Sequence, residues 1–242
     1  MIKEIVKSHL NPIEKYVVGF ADLSGLIDKQ FGDYVYGISI GRKLDDEIVD
    51  KIKEGPTLEY YNHYNEINKE LFELSAAIAN SLEKRNVKTK IIRPTVTTEE
   101  LDTKYSDTLR TELSHKMVAT RAGLGWIGKT DLLVTHIFGP RLRFTTILTN
   151  TPLETESKPI EKSLCGNCNI CVTACPANAA NGKKWNILTD RDEFFNARKC
   201  REKAKELAWE KLKTNVRICG ICVAVCPIGT KKMAGGEAGL AN

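Results

Sequence analysis

The sequence predicts an α+β protein: an α/β segment over residues 1–152, a small cysteine-rich domain over 160–230 and a flexible tail over 231–242. Three observations predict it. All eight cysteines lie between Cys165 and Cys226. The first 150 residues hold none, and they alternate β-branched or aromatic runs with amphipathic stretches. Between the two parts, Thr151 to Ser163 is polar and contains Pro152 and Pro159, which reads as a linker.

The elements follow in order. Tyr16 to Phe20 and Tyr34 to Ile40 read as strands, and Leu44 to Lys53 as a short helix. Thr57 to Arg85 is the strongest helix, with Leu71, Leu74, Ile78 and Leu82 at three- and four-residue spacing and Asn86 as its stop. Lys90 to Ile92 is a short strand ended by Arg93-Pro94. Ser106-Asp107 is expected to cap a helix running to about Arg121. Asp131 to Thr135 and Leu142 to Thr149 read as two strands around a Gly139-Pro140 turn. Ala197 to Lys213 is a charged amphipathic helix with Ala204, Leu207, Ala208 and Leu212 on one stripe.

Bulk composition narrows the class. Hydrophobic content of 42% and charged content of 28% are those of a globular protein. Met1 to His9 carries charges throughout, so no signal peptide is expected. No apolar run approaches the ~20 residues that span a bilayer. A cytoplasmic protein is expected, in which closely spaced cysteines bind metal rather than form disulfides.

The cysteine spacing is specific. One run is Cys165-x2-Cys168-x2-Cys171-x3-Cys175-Pro176; the other is Cys219-x2-Cys222-x3-Cys226-Pro227, with Cys200 upstream. This is the bacterial-ferredoxin pattern for two [4Fe–4S] clusters, in which the fourth cysteine of each run crosses to the other cluster. One cluster then takes Cys165, Cys168, Cys171 and Cys226. The other takes Cys219, Cys222, Cys175 and a fourth ligand. Val216 stands where a standard second run has that ligand, which leaves Cys200. Structural zinc more often uses separated ligand pairs. The formal charge of +5 falls to about +1 once two clusters are bound, so it points only weakly to nucleic acid.

Gly123-Leu124-Gly125-Trp126-Ile127-Gly128-Lys129-Thr130 satisfies the phosphate-loop pattern and also contains G-x-G-x-x-G. Both motifs need a strand before and a helix after. The predicted order is the reverse, so no nucleotide site is expected. The glycines are expected to let the backbone pass something flat or bulky, with Trp126 as a stacking surface.

On this loop and the cysteine pattern together, the chain resembles the epoxyqueuosine reductase family. The matching residues are Arg121 to Lys129, Leu132-Leu133, Cys165 to Pro176, Ala197 to Cys200 and Cys219 to Pro227. The resemblance implies a nitroreductase-like α/β domain that holds cobalamin, followed by a two-cluster ferredoxin-like domain. It implies an iron–sulfur reductase whose clusters pass electrons to the corrinoid, with Gly123, Leu124, Gly125, Trp126, Gly128 and Lys129 as the cofactor-binding loop. A ferredoxin-type carrier, or an activator of a partner corrinoid protein, is the alternative.

The family's Asp-x-x-Pro element is absent. Leu109 and Glu112 fall at its positions, and Asp107 lies near but out of register. Tyr105, Asp107, His115 and Lys116 are the nearby candidates for proton delivery. His9, His63 and His136 are conceivable cobalt ligands, but base-off binding needs none. Glu59 to Tyr64 is aromatic-rich and reads equally as core or pocket lining. The basic stretch Lys183 to Lys213, interrupted by acids, reads as a solvated face or as a docking site for an acidic flavodoxin. An external donor such as flavodoxin or ferredoxin is expected. Transfer RNA is not, because the helical repeats that hold it in longer family members do not follow the second cysteine run.

Overall fold

The computed structural model of the protein describes residues 1–96, 103–155 and 157–230. The expected tail over 231–242 lies outside the described residues. The architecture mixes helix and sheet. Helices α1 (Ile2–Ser8), α2 (Asp46–Asp50), α3 (Leu58–Glu83), α4 (Thr103–Thr108), α5 (His115–Arg121), α6 (Ile170–Thr173), α7 (Ala197–Leu212) and α8 (Ile221–Ala224) alternate with six strands. These are β1 (Tyr16–Asp22), β2 (Tyr36–Lys43), β3 (Thr89–Ile92), β4 (Gly125–Ile127), β5 (Leu133–Thr135) and β6 (Leu142–Thr149). The chain forms two compact units. One comprises residues 1–43, 64–124 and 143–160; the other comprises 44–63, 125–142 and 161–242. The passage at Ile160–Glu161 falls inside the expected linker.

The first unit is built on a four-stranded sheet of order β1-β2-β6-β3. β1 and β2 run antiparallel with Val18 opposite Ile40, and β3 and β6 run antiparallel with Ile91 opposite Ile147. Its core includes Ala21, Leu23, Phe31, Leu113, Val118, Ala122 and Leu148. Helix α5 lies close on β1 and β2 because two strand positions lack a side chain. A Cβ at Gly37 would come within 2.7 Å of Val118, and one at Gly19 within 2.8 Å of Ala122. Neither gap is open to any residue larger than glycine without moving the helix. The predicted stripe of α3 is buried at Leu71, Ile78 and Leu82.

Two sequence expectations are corrected. The single helix expected from Ser106 to Arg121 is two helices. Leu109 adopts a left-handed conformation (φ 51°) that stops α4, and α5 restarts after Ser114. The break turns Leu113 into the core, where it is 4% exposed. The two strands expected around Gly139-Pro140 are present but do not pair with each other. β5 starts at Leu133, because Asp131 is left-handed (φ 58°), and pairs instead with β4 inside the glycine-rich segment. Beyond β5 only the bridge between Thr135 and Gly139 remains, since Pro140 has no N–H to extend a ladder.

The second unit holds every cysteine. Its centre is Arg141, which is 1% exposed. Its Nη1 donates to Asp46 Oδ1 (3.2 Å), and its Nη2 donates to Asp50 Oδ1 (2.7 Å) and to the Ala224 carbonyl (3.3 Å). One side chain thus ties α2 to α8. Tyr60, 4% exposed, packs with Ile52 where Gly220 leaves room, so this member of the aromatic-rich stretch is core. On α7, Ala204 and Ala208 are buried as the predicted stripe requires.

Candidate metal centre

Each cysteine run bends around a single helical turn. Cys171 sits on α6 and Cys222 on α8, two four-residue helices that pack on each other. Gly166 and Gly220, both at positive φ, follow the first cysteine of each run and make the tight bend there. Cys200 lies in the first turn of α7, whose start is fixed by the Asn196 side chain accepting from Lys199 N (3.0 Å). All eight thiols are free.

The thiols influence one another in two sets. Burial first, and then the neighbouring Cys171, Cys165 and Cys168, push the Cys226 thiol up to about 11. Burial, then Cys219 and Cys175, push Cys200 up to about 11. Cys222 is driven well above the usual thiol range by burial, then by Cys219 and Cys200, with Cys171 a lesser cause. Half-buried thiols that penalise each other's ionisation need a positive centre to become thiolates. An iron–sulfur core that takes four thiolates is such a centre. Among the described residues, no three His, Cys, Asp or Glu side chains converge as they would on one ion. Ligands at the corners of a cubane need no such convergence, so the donor set fits two clusters.

The glycine-rich segment lies beside these thiols. In the second unit, the Trp126 indole N–H donates to Cys165 Sγ at 3.3 Å. Lys129 Nζ donates to the Cys168 carbonyl (2.9 Å) and to Asn169 Oδ1 (2.7 Å). The helix-then-strand order predicted from sequence is present, with α5 before the loop and β5 after it. No helix starts at this loop to meet a phosphate.

The expected opening for a flat ligand is not there. A Cβ at Gly123 would meet Ser157 Cβ at 2.5 Å in the first unit. A Cβ at Gly125 would meet the Val134 carbonyl oxygen at 2.2 Å, and one at Gly128 would meet Val134 Cγ2 at 3.0 Å, both in the second unit. The glycines therefore admit the chain's own atoms. Trp126 is 4% exposed and meets His136 edge-on at 5.1 Å, so it offers no free stacking face. Leu124 packs against the first unit's core.

The other candidates are scattered. His115 Nδ1 pairs with Thr146 Oγ1 (2.8 Å) and its Nε2 with the Arg93 carbonyl (2.8 Å). Burial, followed by the Arg143 guanidinium, pushes its pKa down to about 4. A neutral imidazole with both nitrogens engaged does not deliver protons near neutral pH, which corrects that expectation. Because its folded value lies below the ordinary 6.5, the unfolded chain binds the proton first. His115 thus contributes stability that is complete above pH 6.5 and lost as pH falls through about 4. His115→Gln is expected to flatten that part of an acid-denaturation profile.

Tyr105 and Asp107 lie on α4, the first half-buried and the second exposed. Lys116 is on α5. His9 faces Ser81 Oγ at 3.1 Å, and His63 Nε2 accepts from Asp45 N at 3.0 Å. The basic stretch is laced by ion pairs, Lys203 with Glu206 at 2.6 Å and Lys183 with Glu193. Arg191 likewise pairs with Asp192 at 2.8 Å. No helix among the described residues is long and apolar enough to cross a membrane.

Known proteins place this geometry. The family described as "4Fe-4S double cluster binding domain" matches residues 164–229. The epoxyqueuosine reductase of Listeria monocytogenes is 37% identical over 123 residues, which are 48% of this chain and 30% of that protein. The tetrachloroethene reductive dehalogenase of Sulfurospirillum multivorans is 31% identical over 120 residues, 45% of this chain and 22% of that one. The chain thus matches less than a third of either relative's length. A solved reductive dehalogenase, reported with a mechanism for B12-dependent dehalogenation, shares the fold at TM-score 0.65 and 17% identity, covering 92% of this chain and 31% of its own. Residues 164–229 are a 4Fe–4S double cluster binding domain, carried by a chain that is similar in sequence to the epoxyqueuosine reductases.

Proposed function

We propose that the chain is an iron–sulfur reductase of the corrinoid-linked kind, moving single electrons through two [4Fe–4S] clusters toward a substrate. The observation that carries this reading is eight free thiols inside the double-cluster match, with the turns that bear Cys171 and Cys222 packed on each other. Cys165, Cys168, Cys171 and Cys226 hold one cluster. Cys175, Cys200, Cys219 and Cys222 hold the other. When bound, the clusters supply one-electron transfer, and the protein holds them close together through the packed turns α6 and α8.

The corrinoid belongs to the proposal through the sequence likeness to epoxyqueuosine reductases and a dehalogenase. No side chain is assigned to it. The first unit, a sheet backed by α5, is taken as the nitroreductase-like domain and the cysteine-bearing segment as the ferredoxin-like one. Tyr105 and Asp107 are the proposed sources of the substrate proton, His115 having been set aside. The electron donor is proposed to be an external one-electron carrier such as flavodoxin or ferredoxin.

The test is an anaerobic titration of the iron-reconstituted chain with cob(II)alamin, followed by EPR. The expected result is saturable binding with loss of the lower-axial nitrogen hyperfine splitting. Two reducible clusters with no corrinoid binding would show instead an electron carrier or an activator of another protein's corrinoid.

A further inference from the structure

Within the second unit, the segment Trp126 to Lys129 reaches the surroundings of the Cys165 set. Lys129 is 3% exposed. Its two hydrogen-bond partners, the Cys168 carbonyl and Asn169 Oδ1, are both neutral. A buried ammonium held only by neutral oxygens is unfavourable unless negative charge lies near. A [4Fe–4S] core with four thiolates carries about −2 when oxidised and about −3 when reduced. Cys168 is one of those proposed thiolates, and Lys129 is pinned to its main chain. Three residues earlier, the Trp126 N–H points straight at Cys165 Sγ (3.3 Å). Both groups stabilise the more negative, reduced state of the same cluster.

The hairpin β4–β5 explains how both groups reach the same cysteine set. Gly128 N donates to the Leu132 carbonyl (2.8 Å) and Asp131 N to the Gly128 carbonyl (3.0 Å), closing the turn from which Lys129 reaches Cys168 and Asn169.

We propose that Trp126 and Lys129 are positioning residues that set the reduction potential of one cluster. Lys129 is the buried counter-cation of the cluster held by Cys165, Cys168, Cys171 and Cys226, and Trp126 is the direct donor to that cluster. The inference rests on the cluster assignment above. It also gives the phosphate-loop-like sequence a redox use: its lysine neutralises an iron–sulfur cluster in place of a nucleotide phosphate.

The experiment is an EPR-monitored redox titration of the full reconstituted chain, with iron counted in every sample. Lys129→Met is expected to keep about eight irons and to move one midpoint to a more negative potential, leaving the other in place. The expected size is about a tenfold fall in the reduced-to-oxidised ratio at fixed potential, or ~59 mV for a one-electron couple. Trp126→Phe removes only the N–H and should move the same midpoint in the same direction by less. If Lys129→Met fails to assemble, Trp126→Phe still decides the matter. Full iron content with unmoved midpoints in the assembled variants would overturn the inference. Fewer than about eight irons in the unsubstituted chain would instead contradict the cluster assignment itself.

Discussion

Replacing Cys200 by alanine is expected to halve the iron content, from about eight to about four per chain, and to abolish one of two EPR-active centres. Cys200 stands outside both cysteine runs, so its part depends on the fold. Helix α7 starts three residues before it, and the Asn196 cap holds that start in place. There the thiol lies in the field of Cys219 and Cys175, which with burial raise it to about 11. Removing it leaves Cys175, Cys219 and Cys222, one ligand short of a four-thiolate cluster. The Cys165 set is untouched, so one cluster should survive. Cys200→Ser should lose less than the alanine variant, because a hydroxyl keeps the position available to iron. Retention of full iron by Cys200→Ala would show that another group is the fourth ligand.

Arg141→Met is expected to destabilise the second unit by about 3–5 kcal/mol, the usual result of removing one partner of a buried ion pair. Asp46 is 8% exposed and would keep its burial while losing the cation that faces it. Asp50 contributes less, because its side chain is 55% exposed and water screens it. The Ala224 carbonyl loses its guanidinium donor as well, and Ala224 ends the helix that carries Cys222. Cluster loading should therefore fall along with the denaturation midpoint. Arg141→Met combined with Asp46→Leu should recover much of the lost stability, because an apolar pair of similar volume avoids the uncompensated charge. If the double variant is no more stable than the single one, the ion pair is not the source of the effect.

The cysteine pattern and the long helix were legible because each is a matter of spacing. Thiolates at intervals of three along a chain commit it to a cluster whatever surrounds them, and Leu71, Ile78 and Leu82 fall on one face of any α-helix. What was not legible depends on direction and on pairing at a distance. Nothing in Leu109 marks a helix stop, since leucine favours helix, yet it is left-handed here and Leu113 beyond it is buried. The strand Gly125–Ile127 is too short and too rich in glycine to read as one, and it exists because Leu133–Thr135 pairs with it. Trp126 and Lys129 stand out by residue type, but their side-chain directions, toward Cys165 and Cys168, follow from the pairing of β4 with β5. The interleaving of residues 44–63 and 125–142 with the cysteine domain left no local signal either, because it arises from tertiary contacts such as Arg141 with Asp46.

The measurement that tests the account most directly is a joint count of iron and acid-labile sulfide on the anaerobically reconstituted chain, with EPR after chemical reduction. The account predicts about eight of each per chain and a signal broadened by two neighbouring paramagnetic clusters. About four of each with a single isolated signal, or bound metal without labile sulfide, would contradict it.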